Sequence, residues 1–183
     1  MIEQPVLETP RLRLCPLDRP DAPAIQYAAS AREIADSMIS LPHPYPAGEA
    51  QRYIERQRVE REAGHSITFC IEQKAQGRFC GLVELREIDR EHCQGELSFW
   101  LAFEAWGQGI MSEAVAVVVQ YGFEHLDLNR LYAYHMLRNP ASGRVLEKSG
   151  FKQEGLLRQR VRKWGQFEDV ALWAALRHEW QQR

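Results

Sequence analysis

The stretch Gly95–Ala114, GELSFWLAFEAWGQGIMSEA, constrains this chain more than any other. Glu96, Ser98 and Trp100 alternate with Leu97, Phe99 and Leu101, which is the period of a half-buried strand. A turn over Phe103–Trp106 follows, then Gly107-Gln108-Gly109, and a long helical pattern opens at about Met111. Strand, glycine turn and helix start, in that order, gather free backbone N–H groups at the positive end of a helix dipole, where a phosphate can sit. Side chains in the turn would hold a ligand off the backbone or forbid the turn. A lone Gly-x-Gly also serves as an ordinary tight turn, so the spacing by itself leaves both readings open.

The rest of the chain predicts an α/β protein. Leu7–Leu17 alternates Leu12 and Leu14 with Arg11, Arg13 and Cys15 and reads as a first strand bounded by Pro10 and Pro16. Asp18 can cap a helix running to about Ser30, with Pro20 and Pro23 near its first turn. Three prolines make Leu41–Ala47 a loop, and it carries His43 and Tyr45, candidates for lining an acceptor pocket. Gly48–Ala63 is a charged helix with a thin apolar stripe. Ser66–Glu72 and Phe79–Ile88 are strands, and the helix from Met111 to about His125 carries valines whose burial must offset poor helix propensity. Asn129–Leu137 is a strand, Ala141–Lys148 a short helix closed by Gly150, and Phe151–Arg162 a strand with a break at Gly155. A turn at Trp164-Gly165-Gln166 leads to the last strand, Phe167–Leu176, and the tail from Arg177 is expected to fray. Strands early and late with helices between them argue one mixed sheet covered on both faces.

Length and charge bound the function. The 183 residues read as one domain, 1–183, large enough for a real core. A formal net charge of -2 supplies no global basic field for nucleic acid, and no apolar stretch is long enough to span a bilayer. Cys15, Cys70, Cys80 and Cys93 have neither metal nor redox spacing and read as reduced thiols of a cytoplasmic protein. No His, Cys and carboxylate cluster has metal-ligand spacing. Met1-Ile2-Glu3-Gln4 shows no export signal.

Two phosphate-binding motifs do not fit the glycine turn. A nucleotide P-loop needs a lysine after its second glycine, and Gly109-Ile110-Met111-Ser112 has none. A dinucleotide fingerprint needs a third glycine at position 112, which is serine.

The blocks LETPRLRL, ELSFWLAFEAWGQGIMSEA and LNRLYAYHMLRNPASGRVLEKSGFKQEGLLR, in this order and spacing, resemble the GNAT superfamily of acyl-CoA N-acyltransferases. Within it they resemble the RimJ/RimL-like branch, which includes ribosomal-protein N-terminal acetyltransferases; Gly165–Asp169 and the ending ALWAALRHEW match that branch's close. The resemblance implies a mixed, mostly antiparallel sheet of about seven strands, splayed at the cofactor site and flanked by helices on both faces. The superfamily signature Arg/Gln-x-x-Gly-x-Gly/Ala falls on Trp106–Met111, departing at Trp106 and at Met111. Backbone contacts from Gly107, Gln108, Gly109, Ile110, Met111 and Ser112 to acetyl-CoA do not depend on those side chains.

The resemblance also implies a direct reaction. Pantetheine would add along Phe99, Trp100 and Leu101 like an extra strand, with the Leu101 N–H holding the thioester oxygen. Glu96 is the candidate base, with Glu84 on the neighbouring strand its rival. The tyrosine that many superfamily members use as acid is replaced here by Leu146, which leaves Ser142 as the candidate proton donor, or else a capping serine. Asn139, in the family's Asn-x-x-Ser pattern, would hold the pantetheine amides. His135 lies beside the site, where a satisfied, partly buried histidine is the plainer reading. The acceptor is an amine: a protein or peptide N-terminus, or a small molecule such as a polyamine, amino acid or antibiotic, handled by a monomer or homodimer. A non-catalytic acyl-CoA-binding module is the further alternative.

Overall fold

The computed structural model describes residues 4–182; Met1–Glu3, part of the segment read for an export signal, lies outside them. Eight strands form one sheet in the order β1-β2-β3-β4-β5-β6-β8-β7. They are β1 (Leu7–Glu8), β2 (Leu12–Pro16), β3 (Ile67–Gln73), β4 (Arg78–Asp89), β5 (Gln94–Leu101), β6 (Arg130–Met136), β7 (Lys152–Lys163) and β8 (Gln166–Leu176). Among the described residues six α-helices accompany them: α1 (Ala22–Ala29), α2 (Arg32–Ser37), α3 (Glu49–Ala63), α4 (Ile110–Glu124), α5 (Pro140–Lys148) and α6 (Arg177–Trp180).

Every strand pairing is antiparallel except β5 with β6. That exception is also the shortest of the pairings around the site. Gln94, Gly95 and Glu96 match Arg130, Leu131 and Tyr132, and beyond them the two strands part. The sheet is therefore split along half of its central seam, with Leu97–Leu101 on one lip and Ala133–Met136 on the other.

Two helical layers cover the sheet. On one face α4 packs Ala114, Val115, Val118, Val119 and Phe123 against Leu14, Phe69, Val83, Leu85 and Leu97. Each valine costs up to about 0.7 kcal/mol in helix propensity, whereas burying its side chain contributes about 1.5 kcal/mol or more. Val115, Val118 and Val119 are fully buried, so packing decides that this segment is a helix. On the other face α1 and α3 set Ala22, Ile25, Ala50 and Ile54 on Cys70 and Leu82, with Tyr45, Tyr53 and Trp100 at the margin.

Four sequence expectations need correction. The sheet has eight strands rather than about seven, because Leu7–Leu17 folds back on itself: Thr9 accepts at Oγ1 from the Leu12 N–H at 2.9 Å and closes a turn that pairs β1 with β2. The helix expected from Asp18 begins instead as a 3-10 turn over Arg19–Asp21, closed by an Asp18–Asp21 capping box, before α1 starts. A further helix, α2, follows where none was read. The tail from Arg177 does not fray at its start: α6 brings Trp180 against Phe123 with ring centroids 5.7 Å apart, and Glu179 pairs with Lys152 at 2.6 Å.

Candidate active site

The glycine turn lies at one end of the split seam. Gly107 and Gly109 have φ of 72° and 73°, the left-handed region that glycine enters without strain. A Cβ at Gly107 would meet nothing within 4 Å, so backbone conformation rather than crowding calls for glycine there. Gly109 is the N-cap of the 15-residue helix α4 and offers no side-chain cap. The first-turn N–H groups of α4 therefore have no capping side chain, and this is the donor set that a diphosphate needs. From behind, Arg11 donates to the Gln108 carbonyl at 3.1 Å and to Glu113 on α4 at 2.6 Å, which ties the turn to the β1–β2 corner. The Gln108 side chain turns back to the Glu104 carbonyl at 2.8 Å.

The ladder between β4 and β5 fixes which backbone groups face the split. Ala102 N–H donates to the Cys80 carbonyl at 2.8 Å, in the same register that pairs Leu82 with Trp100 and Arg86 with Glu96. Hydrogen-bonded pairs alternate along an antiparallel ladder. The even-numbered residues of β5 thus turn their backbone groups to β4, while Leu97, Phe99 and Leu101 turn theirs toward the gap. The Leu101 carbonyl is already taken by the Trp106 indole N–H at 3.0 Å.

A groove of about 410 Å³ follows the gap. Phe99, Trp100, Leu101, Gly107, Gly109, Ile110, Met111, Ser112, Asn139 and Ser142 all line it, so ten sequence-selected positions separated by up to 43 residues converge here; Gln108 and Glu96 do not line it. Asn139 is the N-cap of α5. Its amide nitrogen donates to Ser142 Oγ at 3.0 Å and to the Ser37 carbonyl at 3.2 Å, and its Oδ1 accepts from the Ser142 N–H at 3.4 Å. The Asn139 amide thus fastens α5 to the end of α2. Sequence reading missed Arg144, Lys148, Ser37 and Met38, which also line the groove. Ala141, Arg144, Val145 and Lys148 recur at the spacing of one helix face, a signal that could have found the two basic residues. Nothing local marks Ser37 or Met38.

A second, small cavity of about 50 Å³ adjoins the groove and is lined by Glu96, Arg86, Ser98, Tyr134 and His135. The two spaces share Ser37, Met38, Phe99 and Ser142, so Ser142 stands where they meet. Glu96 is 6% exposed and accepts from Arg86 Nη2 at 2.5 Å. Burial raises its pKa above the ordinary carboxylate value, and the Arg86 hydrogen bond opposes the rise. Glu84 is pushed up to about 7 by burial, against the opposing charge of Arg86 and a hydrogen bond with Gln57. Glu84 has the more perturbed proton but does not line the cavity; Glu96 does. His135 Nδ1–H donates to the Met136 carbonyl at 2.9 Å, and its Nε2 is buried without a partner among the described residues. His43 and Tyr45 line neither space: His43 meets the Trp164 ring edge-on at 6.3 Å and Tyr45 packs beneath α3. The loop that does reach the cavity is Ser37–Ser40.

Residues 11–152, well over half the chain, match the family model described as an acetyltransferase (GNAT) domain. The chain belongs to the GNAT acetyltransferase family. It is 32% identical over 105 residues, 57% of each chain, to the Bacillus subtilis protein named "Putative ribosomal N-acetyltransferase YdaF", and so spans little more than half of that relative. Among solved structures it resembles the spermidine N-acetyltransferase of Vibrio cholerae in complex with CoA and spermine, with a TM-score of 0.84 and 26% identity over 94% of this chain and 99% of that one. It also shares the fold of RimL, the ribosomal L7/L12 alpha-N-protein acetyltransferase in complex with coenzyme A, with a TM-score of 0.87 and 19% identity over 94% and 98%. This GNAT protein is an acetyl-CoA-dependent N-acetyltransferase. Its acceptor is an amine. Among the described residues, no helix is long and apolar enough to cross a membrane.

Proposed function

We propose that this enzyme acetylates the α-amine of a polypeptide by direct transfer, in the cytoplasm, where its four unpaired thiols would stay reduced. The observation that carries the reading is the junction at Ser142, which lines both the cofactor groove and the Glu96 cavity. Acetyl-CoA supplies an activated acetyl group as a thioester; the protein's part is to bind, orient and move protons.

The Gly107–Ser112 backbone holds the diphosphate, and Arg144 and Lys148 add positive charge along the same groove. The Leu101 N–H, turned toward the gap, donates to the thioester oxygen and stabilises the negative charge that develops there. Glu96 removes the proton that an ammonium carries at neutral pH, directly or through one water, and its raised pKa suits that task better than an ordinary exposed carboxylate would. Ser142 Oγ is the hydroxyl at the junction and gives the departing thiolate a proton. Its place in the first turn of α5 lends the helix's positive end to the same charge.

The likeness to YdaF and to RimL favours a polypeptide acceptor. The likeness to a spermidine acetyltransferase favours a small amine. Mass spectrometry of acetyl-CoA reactions with N-terminally free peptides and with small amines separates them. Product on peptides supports the first reading, product on small amines alone replaces it, and acetyl-CoA binding without any product means a binding module.

A further inference from the structure

The acceptor cavity carries one cation and one anion, and they already neutralise each other. Arg86 and Glu96 face each other across the β4–β5 ladder, with Nη2 and Oε1 2.5 Å apart. Two further carboxylates lie near the pair: Glu87 is engaged by the Tyr132 hydroxyl at 2.9 Å, and Glu84 is buried outside the cavity and hydrogen-bonded with Gln57. A polyamine entering this space would bring several positive charges, while the cavity wall offers one carboxylate, Glu96, already paired with Arg86.

Arg86 itself is unfinished. Its Nε is buried without a hydrogen-bond partner among the described residues, while its side chain as a whole is 38% exposed. A guanidinium has five N–H donors in a fixed fork, and among the described residues one of them is hydrogen-bonded, to Glu96. The remaining donors stand beside the carboxylate that would receive the acceptor's ammonium. Arg160, exposed where the β7–β8 register breaks between Leu157 and Val161, adds a second positive charge close enough to act on Glu96.

We infer that Arg86 is a specificity residue that binds a carbonyl or carboxylate oxygen next to the reacting amine, so that the acceptors are α-amines of peptides or amino acids and not bare polyamines. This rests on the acetyltransfer reading of the cavity. Glu96 takes the ammonium end of the acceptor and Arg86 the oxygen on the carbon next to Cα. A site built to hydrogen-bond a substrate group rejects the analogue that lacks it far more strongly than an apolar pocket rejects a shorter chain, because its own buried donor is left unpaired.

The test uses matched acceptors with saturating acetyl-CoA: a short peptide beginning with serine, serinamide, ethanolamine and spermidine. Serinamide and ethanolamine differ only in the carboxamide. Their kcat/KM ratio is compared between wild type, Arg86→Lys and Arg86→Gln, which cancels the basicity of each amine and any common change at Glu96. The ratio is expected to fall at least tenfold in Arg86→Gln and less in Arg86→Lys, mainly through the KM of serinamide. Spermidine should be at least a hundredfold poorer than the peptide. A ratio unchanged in Arg86→Gln, or spermidine used as well as the peptide, overturns the inference while leaving acetyltransfer intact. If acetyl-CoA binds and no acceptor turns over, the acetyltransfer reading fails and takes the inference with it. Should Arg86→Gln not fold, the ratio in Arg86→Lys decides.

Discussion

The indole N–H of Trp106 donates to the Leu101 carbonyl at 3.0 Å, joining the end of β5 to the start of the phosphate turn. The family signature has a polar residue at the Trp106 position. Here the ring spans back over the turn and packs on Phe103 with centroids 5.2 Å apart. Trp106→Phe keeps the ring contact and removes the donor. A net hydrogen bond is worth about 1 kcal/mol, so the Kd for acetyl-CoA should rise about fivefold in calorimetric titration. An unchanged Kd would show that the turn holds its shape without this bond.

Glu96→Gln should reduce kcat by about a hundredfold or more, the range for a general base, with the acetyl-CoA Kd within about threefold of wild type. Burial raises the Glu96 pKa, and the base works only when deprotonated. Wild-type kcat/KM should therefore climb with pH through a value above the ordinary carboxylate range, and that limb should vanish in the variant. Full turnover by Glu96→Gln would remove it from the role and leave Glu84 to be tested in the same way.

Ser142→Ala separates acid from cap. Asn139 remains the N-cap, although it loses its Oγ partner at 3.0 Å. Transfer should slow about tenfold or more in single-turnover measurements, with acetyl-CoA affinity nearly unchanged. A lowered melting temperature at wild-type rate would assign the hydroxyl to helix capping alone.

Glu84 makes stability depend on pH. Its folded pKa of about 7 lies above the ordinary value of 4.5. The folded state therefore holds the proton more tightly than the unfolded chain does. The associated stability is fully present below about pH 4.5 and is lost as pH rises through about 7. A separation of this size corresponds to roughly 3 kcal/mol. Glu84→Gln, which cannot ionise, should gain on wild type by that order between pH 5 and pH 8 in denaturant titrations. Equal gains at both pH values would contradict a buried, protonated Glu84.

Gly81 admits no side chain. Its φ is +154°, and a Cβ there would stand 2.2 Å from the Trp100 carbonyl oxygen across the ladder. Backbone cannot yield as a flexible side chain does, so Gly81→Ala should destabilise the protein by about 3 kcal/mol or more and disturb the cofactor lip of β5. Thermal melts and acetyl-CoA titrations of the variant check both effects.

The alternation of β5, the glycine turn and the valine-rich α4 were legible because each is a local pattern: period two, a φ that only glycine tolerates freely, period 3.6. So were β3, β4, β6 and the Trp164-Gly165 hairpin, whose two turn residues both adopt positive φ. The β1–β2 corner was not, since one alternating run fits a single strand or a hairpin equally well until Thr9 and Arg11 find Glu113, more than 100 residues away. Helix α2 was missed for a related reason. It has six residues, too few to hold a helix by propensity, and its end is fixed by Asn139 and by Arg138, which donates to Asp36 at 2.9 Å. The same distinction runs through the site. The glycine turn marked Gly107–Ser112 as the candidate cofactor backbone, and the family resemblance named Glu96 and Ser142 as candidates. Only the tertiary structure decided that Glu96 shares its cavity with Arg86, that Glu84 lies outside it, and that Ser37–Ser40 rather than His43 and Tyr45 reach it. Local periodicity fixes backbone shape; which charges meet depends on strand register and on contacts between distant segments.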